Sequence, residues 1–262
     1  MVLFSIIVVC LNPGEKLKQT VDSILEQTEK NVEIIIKDGN STDGAVDALE
    51  KRENIHVIKQ ADKGIYDAMN QAAVQARGKI LFFLNCGDCF HDKTVLENVW
   101  KSAQGSHAKI FYGNIFSMLT NSVVPSNPHM DAFGCYRNVP CQLACFYRKE
   151  LFEERGYLLQ YKVRADYEHF LWCFFEKEAA PLYIPILVAD YEGGGFSETR
   201  ENKKISAKEH KEITSKYMSR SQLFKYKLIL AVTLAPLRSK MAESEHFSKI
   251  YNSLKKMLYH NK

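Results

Sequence analysis

The chain has 262 residues, a net charge of +4, 46% hydrophobic and 25% charged residues, which is ordinary for a soluble globular protein long enough to bury a full core. The charge is too small and too mixed in sign to indicate a nucleic-acid partner. The seven cysteines are an odd number scattered through apolar segments, which argues for a reducing cytosol over a disulfide framework.

The first predicted element is a buried strand over residues 3–11. It has neither a basic region nor a small-residue cleavage site, so it is not typical of a secretory signal. A turn at residues 12–14 opens an amphipathic helix with apolar positions at Leu17, Val21 and Ile24. Strand, turn and helix together form the first half of a βαβ unit.

Strands and helices continue to alternate through the first ninety residues. The predicted order is a strand at 32–36, a polar loop at 38–44, a helix around 45–52, a strand at 56–58, a loop at 60–64, a helix at about 65–77 and a strand at 80–84. This alternation predicts a parallel sheet with right-handed crossovers. The last strand has five large apolar residues without polar alternation, which is typical of a strand buried on both faces.

The second half is predicted to be mixed α/β, with strands at 109–115 and 182–189 and a helix at roughly 166–177 between them. From residue 200 onward the composition becomes helical and basic. We therefore expect two parts, a domain over residues 1–200 and a helical C-terminal extension over residues 201–262.

A single carboxylate follows the strand at 80–84, in the segment Asn85-Cys86-Gly87-Asp88. Ligands of open α/β sheets bind beyond the carboxyl ends of the strands, so Asp88 lies at the predicted ligand edge. Mg²⁺ or Mn²⁺ held by Asp88 and by phosphate oxygens suits this position, since such ions keep few protein ligands. A zinc site is less favoured, because the spacings of the four cysteines differ: Cys86, Cys89, Cys141 and Cys145.

Two polar segments supply further candidates at the same edge. Asp38 comes directly at a strand end, where a carboxylate can accept N–H donors from a base or hydroxyls from a ribose; helix capping by the loop that follows is the alternative. Gly64 permits close approach of a ligand to the backbone beside Asp62, while Asp67 and Asn70 share a helical face. A surface turn followed by an amphipathic helix is the alternative there.

The predicted helix at 166–177 begins with two acids, Asp166 and Glu168, which point to different faces. An acidic first turn that complements the helix dipole is the simple interpretation. The functional interpretation makes Asp166 a general base. The glycines at 193–195 would suit a loop that folds over a ligand, or an ordinary loop.

Taken together, these segments resemble an inverting family 2 glycosyltransferase of the GT-A, nucleotide-diphospho-sugar transferase type. The resemblance covers about residues 3–200 and rests on matches in the family's order: the first strand with Asn12, the loop 38–44, and the segments 62–70, 84–88, 142–146 and 165–167. It implies a Rossmann-like α/β fold with a mixed, mainly parallel sheet flanked by helices.

The resemblance also implies roles. Asp38 would bind the base, the segment around Asp62 and Gly64 the nucleotide, and Asp88 the divalent Mg²⁺ or Mn²⁺ that bridges the diphosphate of a nucleotide-sugar donor, with a UDP-sugar favoured. Asp166 would deprotonate the acceptor hydroxyl. The nucleotide-sugar site would be completed by Asn12, Asp67, Asn70 and Asn85.

Two motifs depart from the family's pattern. Its metal motif usually carries two or more acids, whereas Asn85 and Gly87 stand beside Asp88, and Ala165 replaces the acid that often precedes the catalytic one. Sequences of the Asn-x-Gly-Asp kind resemble a branch that builds bacterial exopolysaccharide, capsule or O-antigen. A nucleotidyltransferase, or a non-catalytic docking protein of polysaccharide assembly, are the alternatives.

The C-terminal extension suggests where the acceptor lies. Its apolar run 228–235 would span only ~12 Å as a helix, against a bilayer core of ~30 Å, so it cannot cross. It could lie in the membrane interface, since basic residues flank it: Lys225, Lys227, Arg238 and Lys240. Packing on the catalytic domain is the alternative. We expect a saccharide or lipid-linked saccharide acceptor and a cytoplasmic protein with peripheral contact at the inner face of the cell membrane.

Overall fold

A computed structural model describes residues 2–194 and 199–232. The strands are β1 (Phe4–Cys10), β2 (Val32–Asp38), β3 (Ile55–Lys59), β4 (Ile80–Phe83), β5 (Cys89–Phe90), β6 (Ile110–Ser117), β7 (Ser122–Val124), β8 (Cys145–Arg148) and β9 (Pro181–Tyr191). The helices are α1 (Lys16–Leu25), α2 (Ile65–Gln75), α3 (Val95–Ala103), α4 (Ala132–Arg137), α5 (Glu150–Glu154), α6 (Ala165–Phe175), α7 (Arg200–Tyr217) and α8 (Arg220–Val232).

The strands form one mixed sheet in the order β3-β2-β1-β4-β8-β6-β9-β5, with β7 paired to β6. Strands β3, β2, β1 and β4 run parallel, as do β6 and β9, and these pairs hold most of the paired residues. Strand β8 lies antiparallel between β4 and β6. The predicted α/β fold with a mainly parallel sheet is confirmed.

The central strands owe their position to their apolar sequences. All four residues of β4 are buried, as predicted for a strand covered on both faces. The ring of Phe82 stacks on Phe146 of β8 with centroids 4.2 Å apart, and Phe146 also meets Phe4 of β1 edge to face. This aromatic contact ties the parallel and antiparallel parts of the sheet into one core.

The register of the parallel strands builds the functional edge. Cys10 at the end of β1 lies opposite Asp38 at the end of β2, and Ile7 lies opposite Phe83 at the end of β4. The segments that follow these three strands therefore meet at one edge of the sheet.

The prediction of a helix around residues 45–52 is wrong. Residues 45–48 form only a turn, in which Ala48 N–H donates to the Gly44 carbonyl. Gly44 has a φ of +77°, and the Asp43 carboxylate accepts the Ala45 N–H, so the segment closes on itself before a helix can propagate. The sequence analysis also missed β8, a short strand whose partners are both distant in the chain.

One compact unit ends at Ile213 and a second begins at Thr214. The predicted boundary near residue 200 stays a prediction. In the second unit the structure describes α8, which ends at Val232, so the predicted membrane-contact residues Arg238 and Lys240 lie outside the described residues. No helix within the described ranges combines the length and the apolar character needed to span a bilayer.

Candidate active site

Asp38 lies fully buried at the end of β2, with one oxygen satisfied and the other not. Its Oδ1 accepts hydrogen bonds from the Ser41 backbone N–H at 2.8 Å and from the Ser41 hydroxyl at 2.5 Å. Its Oδ2 is buried with no partner among the residues the structure describes. Because a buried acceptor without a donor is costly, this oxygen is suited to receive an N–H or O–H group of a ligand.

The loops that follow β1 and β2 are tied to one another. Asn12, in a left-handed conformation with φ of +48°, accepts the Thr42 N–H through its side chain at 2.9 Å and donates its own N–H to the Ser41 hydroxyl at 2.8 Å. Asp43 accepts the Gly14 N–H at 2.8 Å. The side chain of Asn12 therefore holds the Asp38 loop in place.

Lys37 is a site residue that the sequence analysis missed. Its ammonium is fully buried, and Nζ donates to Asp62 Oδ2 at 2.9 Å and to the Gln60 carbonyl at 2.5 Å. Asp62 Oδ1 in turn accepts the Gly64 N–H at 3.1 Å. The signal was a lysine inside an otherwise apolar strand, and its effect is to place the Asp62 loop beside Asp38.

The remaining predicted residues of this segment differ in their contacts. Gly64 adopts a φ of +123° just before α2, and open space surrounds it. Asp67 accepts the Lys63 N–H at 2.8 Å, and the Asn70 amide exchanges two hydrogen bonds with the backbone of Tyr157, at 2.8 and 2.9 Å. The observed contacts of Asp67 and Asn70 stabilise the fold, and their roles in nucleotide binding stay predictions.

Asp88 follows β4 and is almost fully buried. Its Oδ1 accepts the backbone N–H of Glu192, which lies just past β9, at 2.9 Å. Burial raises the pKa of Asp88 to about 6, and the hydrogen bond from Glu192 opposes the rise. The side chain of Asn85 also hydrogen-bonds to Asp88 and stabilises its ionised form.

The donors around Asp88 suit a hard cation with few protein ligands. Within the described ranges, no three His, Cys, Asp or Glu side chains come together as a metal site. Beside Asp88 stands one further acid, Glu192, whose Oε2 accepts a hydrogen bond from Lys16 Nζ at 2.7 Å. Mg²⁺ or Mn²⁺ would take its other ligands from a diphosphate and water. The assignment of the metal to Asp88 stays a prediction.

The cysteines considered as zinc ligands form no disulfide in the part of the chain that the structure describes. Cys10, Cys86, Cys89, Cys141 and Cys145 are free cysteines. Burial raises the pKa of Cys86 to about 12. Within the described ranges these thiols do not come together with other His, Cys, Asp or Glu side chains as a metal site.

Asp166 lies in the first turn of α6, and its partner is Tyr66 of α2, to which the sequence analysis gave no role. The Tyr66 hydroxyl lies 2.9 Å from Asp166 Oδ1 and 2.8 Å from the Val163 carbonyl. Burial raises the pKa of Asp166, and the hydrogen bond from Tyr66 is the largest opposing effect. A carboxylate whose pKa is raised binds a proton more readily, which suits a general base.

The second acid of this helix has a structural contact. Glu168 is fully buried, and both of its oxygens accept hydrogen bonds from the Arg155 guanidinium, at 3.1 and 2.8 Å. Asp166 and Glu168 therefore face different surroundings, as their spacing predicted.

A cavity of about 570 Å³ adjoins Asp166 and is also lined by Tyr66, Asn85 and Gln142. Asn85 Oδ1 is buried with no partner in the part of the chain that the structure describes, so it can accept a hydroxyl of a ligand. Because Asn85 also bonds to Asp88, it connects the cavity to the sheet edge. The volume suits a small polar ligand such as a sugar.

Comparison with known proteins identifies, along most of the chain, the family that the sequence motifs resemble. The model of glycosyl transferase family 2 matches residues 5–176. The PGL/p-HBAD biosynthesis glycosyltransferase of Mycobacterium tuberculosis is 34% identical over 212 residues, which cover 78% of this chain and 82% of that protein. The UDP-Glc:alpha-D-GlcNAc-diphosphoundecaprenol beta-1,3-glucosyltransferase WfaP of Escherichia coli is 38% identical over 151 residues, 55% of this chain and 59% of that protein.

Three solved structures illustrate the shared fold. S. aureus TarS 1–349 in complex with UDP matches with a TM-score of 0.64 and 16% identity, over 91% of this chain and 78% of that chain. In another TarS 1–349 structure the match spans 60% of that chain. The mannosyltransferase PcManGT from Pyrobaculum calidifontis, in complex with GDP-Man and Mn²⁺, matches with a TM-score of 0.59 and 13% identity, over 99% of this chain and 88% of that chain. The predicted GT-A fold is confirmed.

Proposed function

The chain belongs to glycosyl transferase family 2, and from its membership we propose that it moves a sugar, with inversion, from a nucleotide-diphosphate sugar to a saccharide acceptor. A UDP-sugar is the favoured donor and a lipid-linked saccharide the favoured acceptor, in the assembly of bacterial exopolysaccharide, capsule or O-antigen. The relative WfaP carries a name that describes transfer from UDP-Glc to a lipid-diphosphate acceptor, which supports this choice.

The observation that carries the proposal is the pairing of Asp166 with Tyr66 at the wall of the 570 Å³ cavity. The Asp166 carboxylate takes the proton of the acceptor hydroxyl while the acceptor oxygen forms a bond to the anomeric carbon. The bond from that carbon to the nucleotide diphosphate breaks on the opposite face, and the electron pair leaves with the diphosphate. Attack opposite the leaving group inverts the anomeric centre.

The donor would lie along the sheet edge. The free oxygen of Asp38 accepts a donor group of the base or ribose, and the loop of Asp62, held by Lys37, borders the nucleotide. Asp88 would hold a divalent cation, which would supply charge stabilisation at the departing diphosphate. Asn85 orients a sugar hydroxyl through its free oxygen.

Release of nucleotide diphosphate from a panel of UDP-, GDP- and TDP-sugars, with Mg²⁺ or Mn²⁺ and saccharide acceptors, tests the proposal. Asp166→Asn should lower transfer by about 10²–10⁴-fold and leave UDP binding intact. Asp22→Asn is the matched control, since Asp22 is an exposed acid paired with Lys18 on α1. Retained turnover by Asp166→Asn refutes the assignment of Asp166 as the general base. A wild type that is inactive on every donor favours the alternative, a non-catalytic docking protein.

The proposed cytoplasmic location, with peripheral contact at the membrane, rests on the basic residues Lys225 and Lys227 in α8. Sedimentation of the full chain with anionic and neutral vesicles tests it. Binding to anionic vesicles that falls in Lys225→Gln/Lys227→Gln supports the contact. Equal recovery in the supernatant with and without anionic vesicles refutes it.

A further inference from the structure

Two arginines line the cavity described above, and within the described residues neither forms an ion pair with an acid. Arg137 ends α4 and is exposed, and Arg164 stands just before α6. Among the described residues, the ion pairs of arginine belong to Arg52, Arg77 and Arg155. The cavity therefore carries two positive charges with free hydrogen-bond donors.

Arg164 is held in place by neutral groups. Its Nε donates to the Ser206 hydroxyl at 2.7 Å, its Nη1 lies 3.4 Å from Asn138 Oδ1, and its guanidinium lies 5.2 Å from the centroid of the Tyr167 ring. Two acids lie in this neighbourhood: the charge of Arg164 opposes the rise that burial causes in the pKa of Asp166, and Glu209 accepts three consecutive backbone N–H groups at 2.7, 3.1 and 2.9 Å. The remaining donors of Arg164 are thus oriented in advance for a ligand.

The position of the arginines assigns them to the acceptor side of the reaction. Asp166 lines the same cavity, whereas Asp38, Asp62 and Asp88 do not. The proposed function places the nucleotide diphosphate of the donor with those three acids, which leaves the arginines for another anion. The hydroxyl groups of a neutral sugar can be bound by amides, hydroxyls and a carboxylate alone. A phosphate, by contrast, forms paired charge-assisted hydrogen bonds with the planar guanidinium of arginine.

We propose that Arg137 and Arg164 form an anion subsite for a phosphate group carried by the acceptor, so that the acceptor is a sugar phosphate or sugar diphosphate ester and not a neutral glycan. This inference rests on the proposed function and names its acceptor class. Arg164 stands two residues from Asp166 at the start of α6, and both line one cavity. The acceptor sugar whose hydroxyl Asp166 deprotonates is therefore the sugar that bears the phosphate.

The test compares acceptors that share one sugar: a neutral alkyl glycoside, the alkyl phosphate ester, and the alkyl and polyprenyl diphosphate esters, each assayed with the full chain and the preferred donor. The wild type should prefer the phosphate-bearing esters in kcat/KM by tenfold or more, on the order expected for charge-assisted hydrogen bonds. A matching preference for alkyl and polyprenyl esters assigns recognition to the phosphate, whereas preference for the polyprenyl ester alone assigns it to the lipid and refutes the subsite.

Variants locate the preference. Arg137→Gln and Arg164→Gln should each reduce the preference for phosphate-bearing acceptors about tenfold, mainly through KM, and Arg164→Lys should restore part of it. Arg52→Gln, at an exposed arginine paired with Glu50, should keep the wild-type preference. Arg137 is exposed at a helix end, so Arg137→Gln gives a result even if Arg164→Gln fails to fold.

Two outcomes overturn the inference in different ways. Equal use of neutral and phosphate-bearing acceptors by an active wild type, or a preference unchanged in Arg137→Gln, refutes the anion subsite and leaves the proposed function standing. No transfer from any donor to any acceptor refutes the proposed function, and the subsite with it.

Discussion

Asp88→Asn tests the cost of keeping an ionised carboxylate at the edge of the sheet. Burial raises the pKa of Asp88 from an ordinary 3.8 to about 6. At about 1.4 kcal/mol per pKa unit, ionised Asp88 lowers the free energy of unfolding by about 3 kcal/mol at neutral pH. Asparagine has nearly the same shape, and its carbonyl can accept the Glu192 N–H that Asp88 accepts at 2.9 Å. We therefore expect the variant to be more stable than the wild type without metal.

The stability difference should depend on pH in a defined direction. A carboxyl whose pKa is higher in the folded state binds more protons there, so the wild type loses stability as the pH rises from about 4 to about 6. Above that range the difference between Asp88→Asn and wild type should stay constant. Below it both side chains are neutral and the difference should vanish.

Urea unfolding of metal-free protein at a series of pH values measures this difference. Asp88→Asn should gain about 1–3 kcal/mol near pH 8, and the control Asp22→Asn should change by less than about 0.5 kcal/mol. Electron paramagnetic resonance of Mn²⁺ with UDP present should show binding to the wild type and its loss in Asp88→Asn. A variant of equal or lower stability at pH 8 refutes the burial argument, and unchanged Mn²⁺ binding refutes the metal assignment.

Two further substitutions address residues that only the structure revealed. Tyr66→Phe removes the hydroxyl that stabilises ionised Asp166, so the pKa of Asp166 should rise further. The acid limb of the pH–rate profile should therefore move to higher pH. An acid limb at the wild-type pH would show that the Tyr66 hydroxyl does not stabilise ionised Asp166. Lys37→Met leaves Asp62 without its buried ammonium, so it should cost about 3 kcal/mol of unfolding free energy and weaken UDP binding, measured by urea unfolding and UDP titration. Wild-type affinity for UDP in a folded Lys37→Met would show that Lys37 does not position the Asp62 loop.

The sequence predicted what depends on local pattern. Apolar runs without alternation identified β1, β2 and β4, because a strand covered on both faces cannot carry polar residues on either one. The same pattern placed Asp38 and Asp88 at one edge, since parallel strands end on the same side of a sheet. The helix expected at 45–52 failed because Gly44 and the Asp43 side chain close the loop locally.

The tertiary structure alone decided which distant groups meet. Tyr66 reaches Asp166 across 100 residues of sequence, and Glu192 bonds to Asp88 across 104. These contacts follow from the insertion of β8 between β4 and β6 and from the length of β9, which bring the second half of the chain to the edge built by the first. The spacing of residues along the chain does not predict such long-range contacts, because register and strand order are set by the packing of the whole sheet. The sequence by itself thus determined the family, the parallel sheet and its acidic edge, and packing determined the partners that tune each acid.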